Sequence, residues 1–152
     1  MAEITVEAPI GPLCLTAAGG AIVAAEWGRR AAAESDDPLL RAAAAQMADY
    51  FAGRRRAFDL PLRFAGPPFQ RRVWALMQAI PYGTVRYYGD LGRDLGAAAL
   101  AVGRACAGCD LAVLIPAHRV VGAGGRIGGW SGWGGIETKR WLLALEGWHP
   151  RR

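Results

Sequence analysis

The sequence is poor in the residues that staple small proteins or hold metals. It has three cysteines, Cys14, Cys106 and Cys109, and two histidines in 152 residues. An odd, small number of cysteines in a chain without a signal segment argues against a disulfide framework. Cys106-Ala107-Gly108-Cys109 does spell C-x-x-C. One reading is a redox pair or half a metal site; the other is coincidence. With no second C-x-x-C and two histidines, a metal lacks ligands, so none is expected. No apolar run nears the roughly 18 residues of a membrane span. The opening MAEITVEAPI has neither the basic stretch nor the apolar core of a signal peptide. The expectation is a cytoplasmic protein with no membrane attachment and no cofactor. Internal repeats and low-complexity tails are also missing.

What is present is enough for a core. Hydrophobic residues make up 53% and charged residues 20%, a composition that folds rather than stays disordered. The length fits one domain's worth of core with a small appended subdomain. Net charge is +5, and nearly all the positive charge is arginine. That is either a solvated surface or a match to an anionic partner, since guanidinium forks fit phosphate oxygens.

The pattern predicts an α/β (α+β) fold. Residues 1–66 form a small antiparallel sheet with a helix; residues 67–152 are mostly helical. Ile4, Val6 and Ala8 alternate with polar neighbours, and Gly11-Pro12 and Gly19-Gly20 punctuate the runs LCLTA and AIVAAEW. Asp37-Pro38 starts a helix that runs to about Gly53. Arg54-Arg55-Arg56 then complements the helix C-terminus. Phe69, Val73, Trp74, Met77 and Ile80 have helical spacing. Two short helices, YYGDLGRDLG and AAALAVGRACAG, break around Gly96 in a helix-turn-helix pattern. Ala97, Ala101, Ala105 and Gly108 line one side of the second, which fits close approach to another surface or simply an alanine-rich helix. ETKRWLLALEG is a terminal helix with Trp141, Leu142 and Leu145 inward.

The order FQRRVW, IPYGTVRYYGDLG, AVGRA, IPAHRVVGAGG, GGWSGW, KRWLLALEG resembles the O6-alkylguanine-DNA alkyltransferases. The likeness is dense over about residues 69–147 and looser over APIGPLCLTA. The family's signature is Pro-Cys-His-Arg, whose cysteine takes the alkyl group from a flipped guanine. This chain has Pro116-Ala117-His118-Arg119. The resemblance implies that His118 stands where the family's histidine activates the cysteine and Glu146 where a glutamate orients that histidine. It implies a base pocket in which Tyr88 contacts the flipped nucleotide, Ser131 bonds near O6, the Val120 carbonyl accepts from the exocyclic amine, and Trp130 walls the alkyl side. Arg119 is structural, and Ala117 leaves room for a larger O6 substituent.

Two further departures follow. Leu100 stands where the family's arginine finger precedes Ala101-Val102-Gly103, and an apolar wedge can also part base steps. Cys109 replaces a buttressing asparagine and is out of register with His118, so it is no substitute nucleophile. DNA contacts are expected from Leu100, Ala101, Gly103 and Arg104, with Arg71, Arg72, Arg93 and Arg126 as further phosphate candidates.

With nothing at position 117 to accept an alkyl group, the chain is similar to the alkyltransferase-like proteins that lack the cysteine. The expected function is non-catalytic binding of O6-alkylguanine in double-stranded DNA by base flipping, flagging the lesion for nucleotide excision repair proteins. The expected state is a monomer. Two alternatives stand beside it. One is an inactivated or cysteine-to-alanine form of a suicidal O6-methylguanine-DNA methyltransferase; the other is a DNA-binding module without lesion specificity. A single engineered change would leave the arginine finger and the asparagine in place, and both are missing.

Overall fold

The computed structural model describes residues 1–127 and 134–150. The chain divides into two compact units, residues 1–64 with 110–114, and residues 65–109 with 115–152.

The first unit is a three-stranded antiparallel sheet in the order β1 (Ala2–Ala8), β2 (Gly11–Ala18), β3 (Ala21–Trp27), carrying helix α1 (Pro38–Phe51). The turns fall where Gly11 and the Gly19-Gly20 pair supply positive φ, at 141°, 57° and 78°. Asp37 caps α1: its carboxylate accepts from the N–H groups of Leu39 and Leu40, and Pro38 opens the helix. Leu13, Leu15, Ile22, Leu40, Met47 and Tyr50 are fully buried. Arg54 lies beyond the last turn of α1 and pairs with Asp49 at 3.1 Å.

β3 would end the sheet with an open edge, but two distant segments cover it. Ile22 N–H donates to Pro61 O and the Ile22 carbonyl accepts from Arg63 N–H; Ala25 N–H donates to Asp110 O and its carbonyl accepts from Ala112 N–H, at 2.8–3.0 Å. The chain thus returns to this unit at residues 110–114. Val113 sits there at φ 69°, central to a one-residue turn in which Leu114 N–H donates to Ala112 O at 2.8 Å. Left-handed backbone at a β-branched residue is a local strain.

The second unit is built from α2 (Pro68–Gln78), a short β4 (Arg86–Tyr87), α3 (Tyr88–Leu95), α4 (Ala99–Ala107), a 3-10 turn over Ala117–Arg119, β5 (Val120–Val121) parallel to β4, a second 3-10 turn over Ala123–Gly125, and α5 (Ile136–Leu145). α3 packs on α4, and α2 on both. Gly96 ends α3 at φ 65°. Gly92 lets the next residues fold back tightly, since a Cβ there would lie 2.5 Å from the Ala97 carbonyl oxygen. Val73, Trp74, Met77, Leu91, Val102, Ala105 and Ile115 fill the core, and Trp74 Nε1–H donates to Ala105 O at 2.8 Å.

Two expected faces differ from those observed. On α5 the buried residues are Thr138, Lys139, Leu142 and Leu143, while Trp141 and Leu145 are half-buried. The helix turns Lys139 inward because its ammonium finds the Tyr88 hydroxyl, 3.2 Å away. On α4, Ala97 and Gly108 fall outside the helix and Ala105 is buried against Trp74. The exposed face is instead Leu100, Arg104 and Ala107, three and four residues apart.

Candidate functional site

The chain enters the site through Pro116. At φ −79°, ψ 68° this residue makes a tight turn in which Ala117 N–H donates to Ile115 O at 2.8 Å. The following 3-10 turn is closed by Arg119 N–H to Pro116 O and by Val120 N–H to Ala117 O. This winding leaves Ala117 half-buried and drives His118 and Arg119 inward, 1% and 7% exposed.

Both inward side chains meet one carboxylate. Glu146, at the C-terminal cap of α5, is buried. Its Oε1 accepts from Arg119 Nε at 2.8 Å and from the Gly83 N–H at 3.3 Å; its Oε2 accepts from Arg119 Nη2 at 2.9 Å and lies 2.7 Å from His118 Nε2. Arg119 also donates from Nη1 to Ile80 O at 2.7 Å and lies over the Tyr82 ring, 5.7 Å from its centroid. A buried carboxylate is tolerated when its lone pairs are filled in this way.

The charge count decides the state of His118. Arg119 already balances Glu146. Burial pushes the imidazole below its ordinary pKa; the bond to Glu146 pulls the other way, and the charges of Arg119 and Lys139 oppose protonation again. His118 is therefore a neutral imidazole whose Nε2–H donates to Glu146. That tautomer leaves Nδ1 as a proton acceptor. Chemically, such an imidazole can take up a proton at Nδ1 while the carboxylate holds the ring in place. The residue ahead of it carries a methyl group where a base-activated nucleophile would stand.

Lys139, the single lysine of the chain, was not among the residues singled out from the sequence. It is 1% exposed and donates from Nζ to Tyr88 Oη at 3.2 Å, 5.4 Å from the centroid of that ring. Burial lowers its pKa to about 8, and burial raises that of the Tyr88 phenol to about 12. With the ammonium donating to its oxygen, Tyr88 keeps its own hydrogen to present elsewhere. The missed signal was periodic: residues 139, 142, 143 and 146 share one helical face.

Val120 is fully buried in β5, opposite Arg86. Trp130 and Ser131 lie outside the described residues. Cys106 is buried, its thiol pushed up to about 12 by desolvation, and Cys109 is half-buried. Among the described residues no cluster of three or more His, Cys, Asp or Glu is placed to hold a metal, and no helix is long and apolar enough to cross a membrane.

A second surface belongs to α4. Leu100 is 66% exposed; Ala101 and Gly103 are half-buried and Arg104 exposed. Arg71, Arg72, Arg93 and Arg126 are all exposed. Arg93 pairs with Asp90, and Arg72 lies over the Phe69 ring. Among the described residues no carboxylate pairs with Arg71, Arg104 or Arg126.

Comparison with known proteins adds a second line. Residues 68–148 match the family described as "6-O-methylguanine DNA methyltransferase, DNA binding domain", and residues 1–64 match "6-O-methylguanine DNA methyltransferase, ribonuclease-like domain". A methylated-DNA–protein-cysteine methyltransferase of Mycolicibacterium paratuberculosis is 46% identical over 109 residues, 70% of this chain and 65% of that protein's length. One from Mycobacterium bovis is 39% identical over 150 residues, 93% of this chain and 90% of its own. The crystal structure of Mycobacterium tuberculosis OGT in complex with DNA superposes with a TM-score of 0.84 at 38% identity, covering 96% of this chain and 92% of that one.

Proposed function

The chain belongs to the 6-O-methylguanine DNA methyltransferase family, and from that membership we propose that it binds O6-alkylguanine in duplex DNA without removing the alkyl group. The single observation that carries the reading is Ala117. It stands between Pro116 and an intact His118–Arg119–Glu146 cluster, so a base is built and oriented with no thiol beside it. The DNA-bound relative supports a duplex partner. The exposed face of α4 is the helix we assign to DNA, as the second member of a helix-turn-helix with α3, with Arg104, Arg71 and Arg126 on phosphates.

The base must leave the stack to reach a pocket, which costs a few kcal/mol. Leu100, on the exposed face of α4, fills the gap by apolar contact, but it forms no hydrogen bond to the orphaned partner base. Discrimination then comes from the lesion's own weakened pairing and from the space beside Ala117. Tyr88, Val120, Trp130 and Ser131 are the base-contacting residues of this reading. The bound lesion is the signal that recruits nucleotide excision repair.

The test is titration of the purified chain against paired duplexes, one with O6-methylguanine and one with guanine. Preference for the lesion is expected, with no label on any cysteine after incubation with DNA carrying a labelled O6-methyl group. Equal affinity for both duplexes would leave a DNA-binding module without lesion specificity, the reading that Leu100 favours. Stoichiometric label on Cys109 would return the chain to the methyl-accepting enzymes.

A further inference from the structure

The C-x-x-C sequence at the end of α4 takes no part in the reading above, and a backbone turn brings its two cysteines together. Cys109 N–H donates to Cys106 O at 3.2 Å, closing a four-residue turn just past the last turn of the helix. Such a turn brings its outer Cα atoms within roughly 7 Å, and a disulfide spans Cα separations of about 4.4–6.8 Å. Gly108, inside the turn, is pressed against Gln70 of α2: a Cβ at this position would collide with the Gln70 amide.

The two thiols differ in access and surroundings. Cys109 is half-buried. Cys106 is buried, with its Sγ 3.3 Å from Met77 Sδ of α2. Burial holds the Cys106 proton on, and the charge of Lys139 opposes it. The third cysteine, Cys14, belongs to the other unit and is wholly buried in its sheet.

We propose that Cys106 and Cys109 form a peroxide-responsive dithiol whose oxidation to an internal disulfide disturbs the packing of α4 on α2. In the first step the Cys109 thiolate attacks one oxygen of hydrogen peroxide. The O–O bond breaks, leaving Cys109 sulfenic acid and hydroxide. In the second, the Cys106 sulfur attacks the Cys109 sulfur as its thiol proton passes to the departing oxygen. The S–O bond breaks, and the oxygen leaves as water. Two thiols and one peroxide become one disulfide and two waters. The Cys106 sulfur must leave Met77 to reach Cys109, emptying a contact one residue from the Trp74–Ala105 hydrogen bond.

Mild hydrogen peroxide on the full chain, followed by intact-mass and peptide analysis, tests this. The expected product has lost two hydrogens, with the bridge located in the peptide containing residues 106–109. Its thiol count under denaturing conditions falls from three to one. Dithiothreitol restores it, and near-ultraviolet circular dichroism from the tryptophans changes in step. Cys109→Ser and Cys106→Ala each abolish the bridge, while Cys14→Ser keeps it. The proposal is overturned if Cys109 gains two or three oxygens while Cys106 stays a thiol, or if the product is a dimer crosslinked through Cys109. It is also overturned if the bridge forms with an unchanged tryptophan signal.

Discussion

The two units bury charge differently. In the first, the fully buried side chains are apolar or aromatic and the ion pairs lie outside: Arg30 with Glu7 and Arg54 with Asp49 are each largely exposed at both partners. In the second, His118, Arg119, Lys139 and Glu146 are all within 7% of full burial. Ion pairs at a surface contribute little, whereas buried charges are costly unless every donor and acceptor is met. A fold that keeps four ionisable groups inside one small unit is organised around them.

The largest effect expected from this contrast is at Glu146. Glu146→Ala strands Arg119 and His118 without their acceptor, and unfolding stability should fall by about 3–5 kcal/mol. Asp49→Ala, which removes the exposed partner of Arg54, should cost less than about 1 kcal/mol. Urea midpoints of both variants compare the units directly. Equal losses would erase the distinction.

The next effect is at Lys139, whose folded pKa of about 8 lies below the unfolded value of about 10.4. Between those values the unfolded chain holds more protons, so this residue makes stability rise with pH, by up to about 1.4 kcal/mol per unit. The buried thiols of Cys14 and Cys106 are raised and work in the opposite direction once unfolded thiols ionise. The informative quantity is therefore wild type minus Lys139→Met. This difference should climb from pH 7.5 to 9.5, and a flat difference would mean that the amine is not desolvated.

His118 gives a smaller effect at the other end of the scale. Its folded pKa is depressed, so the unfolded chain takes up the proton first as pH falls through about 6.5, and stability declines below that. His118→Gln keeps a nitrogen donor for Glu146 without a titrating ring. Its unfolding profile from pH 7 to 5 should be flatter than that of the wild type.

The smallest expected differences are at the surface of α4 and its neighbours. Arg104→Ala should lower the salt dependence of duplex binding by roughly 0.9 in log–log slope. Arg93→Ala should lower it less, because Asp90 already pairs with Arg93. Equal changes would show that the Asp90 pair opens on DNA.

The sheet and α1 were legible because their cues are local. Alternation, a Gly-Pro turn, a Gly-Gly turn and an Asp-Pro start each act within a few residues. The sharing of Glu146 by His118 and Arg119 was half legible: residue order named all three, but the two-pronged grip of Arg119, which decides the charge of His118, is a matter of coordinates. The inward face of α5 is legible only in part: Leu142 is buried as its apolar character implies, but Trp141 and Leu145 are half-buried. Trp141 is large and apolar, whereas Lys139 carries a charge, and only the Tyr88 hydroxyl beside it marks it as inward. On α4 the alanines gave no amphipathic contrast, so the side facing Trp74 could not be told from the side facing solvent.

The return of residues 110–114 to the first sheet carried no signal at all, and it bears on how the protein is made. A chain leaving the ribosome has β1, β2, β3 and α1 in hand long before Asp110 and Ala112 arrive to close the edge at Ala25. Until then that stretch of β3 presents unpaired N–H and C=O groups to any passing strand. The same feature limits dissection of the gene product. A fragment cut near residue 66 keeps the sheet but loses its last edge partner. The complementary fragment carries Leu111, Val113 and Leu114, all buried in the whole protein, without the three-stranded sheet that residues 110–114 join.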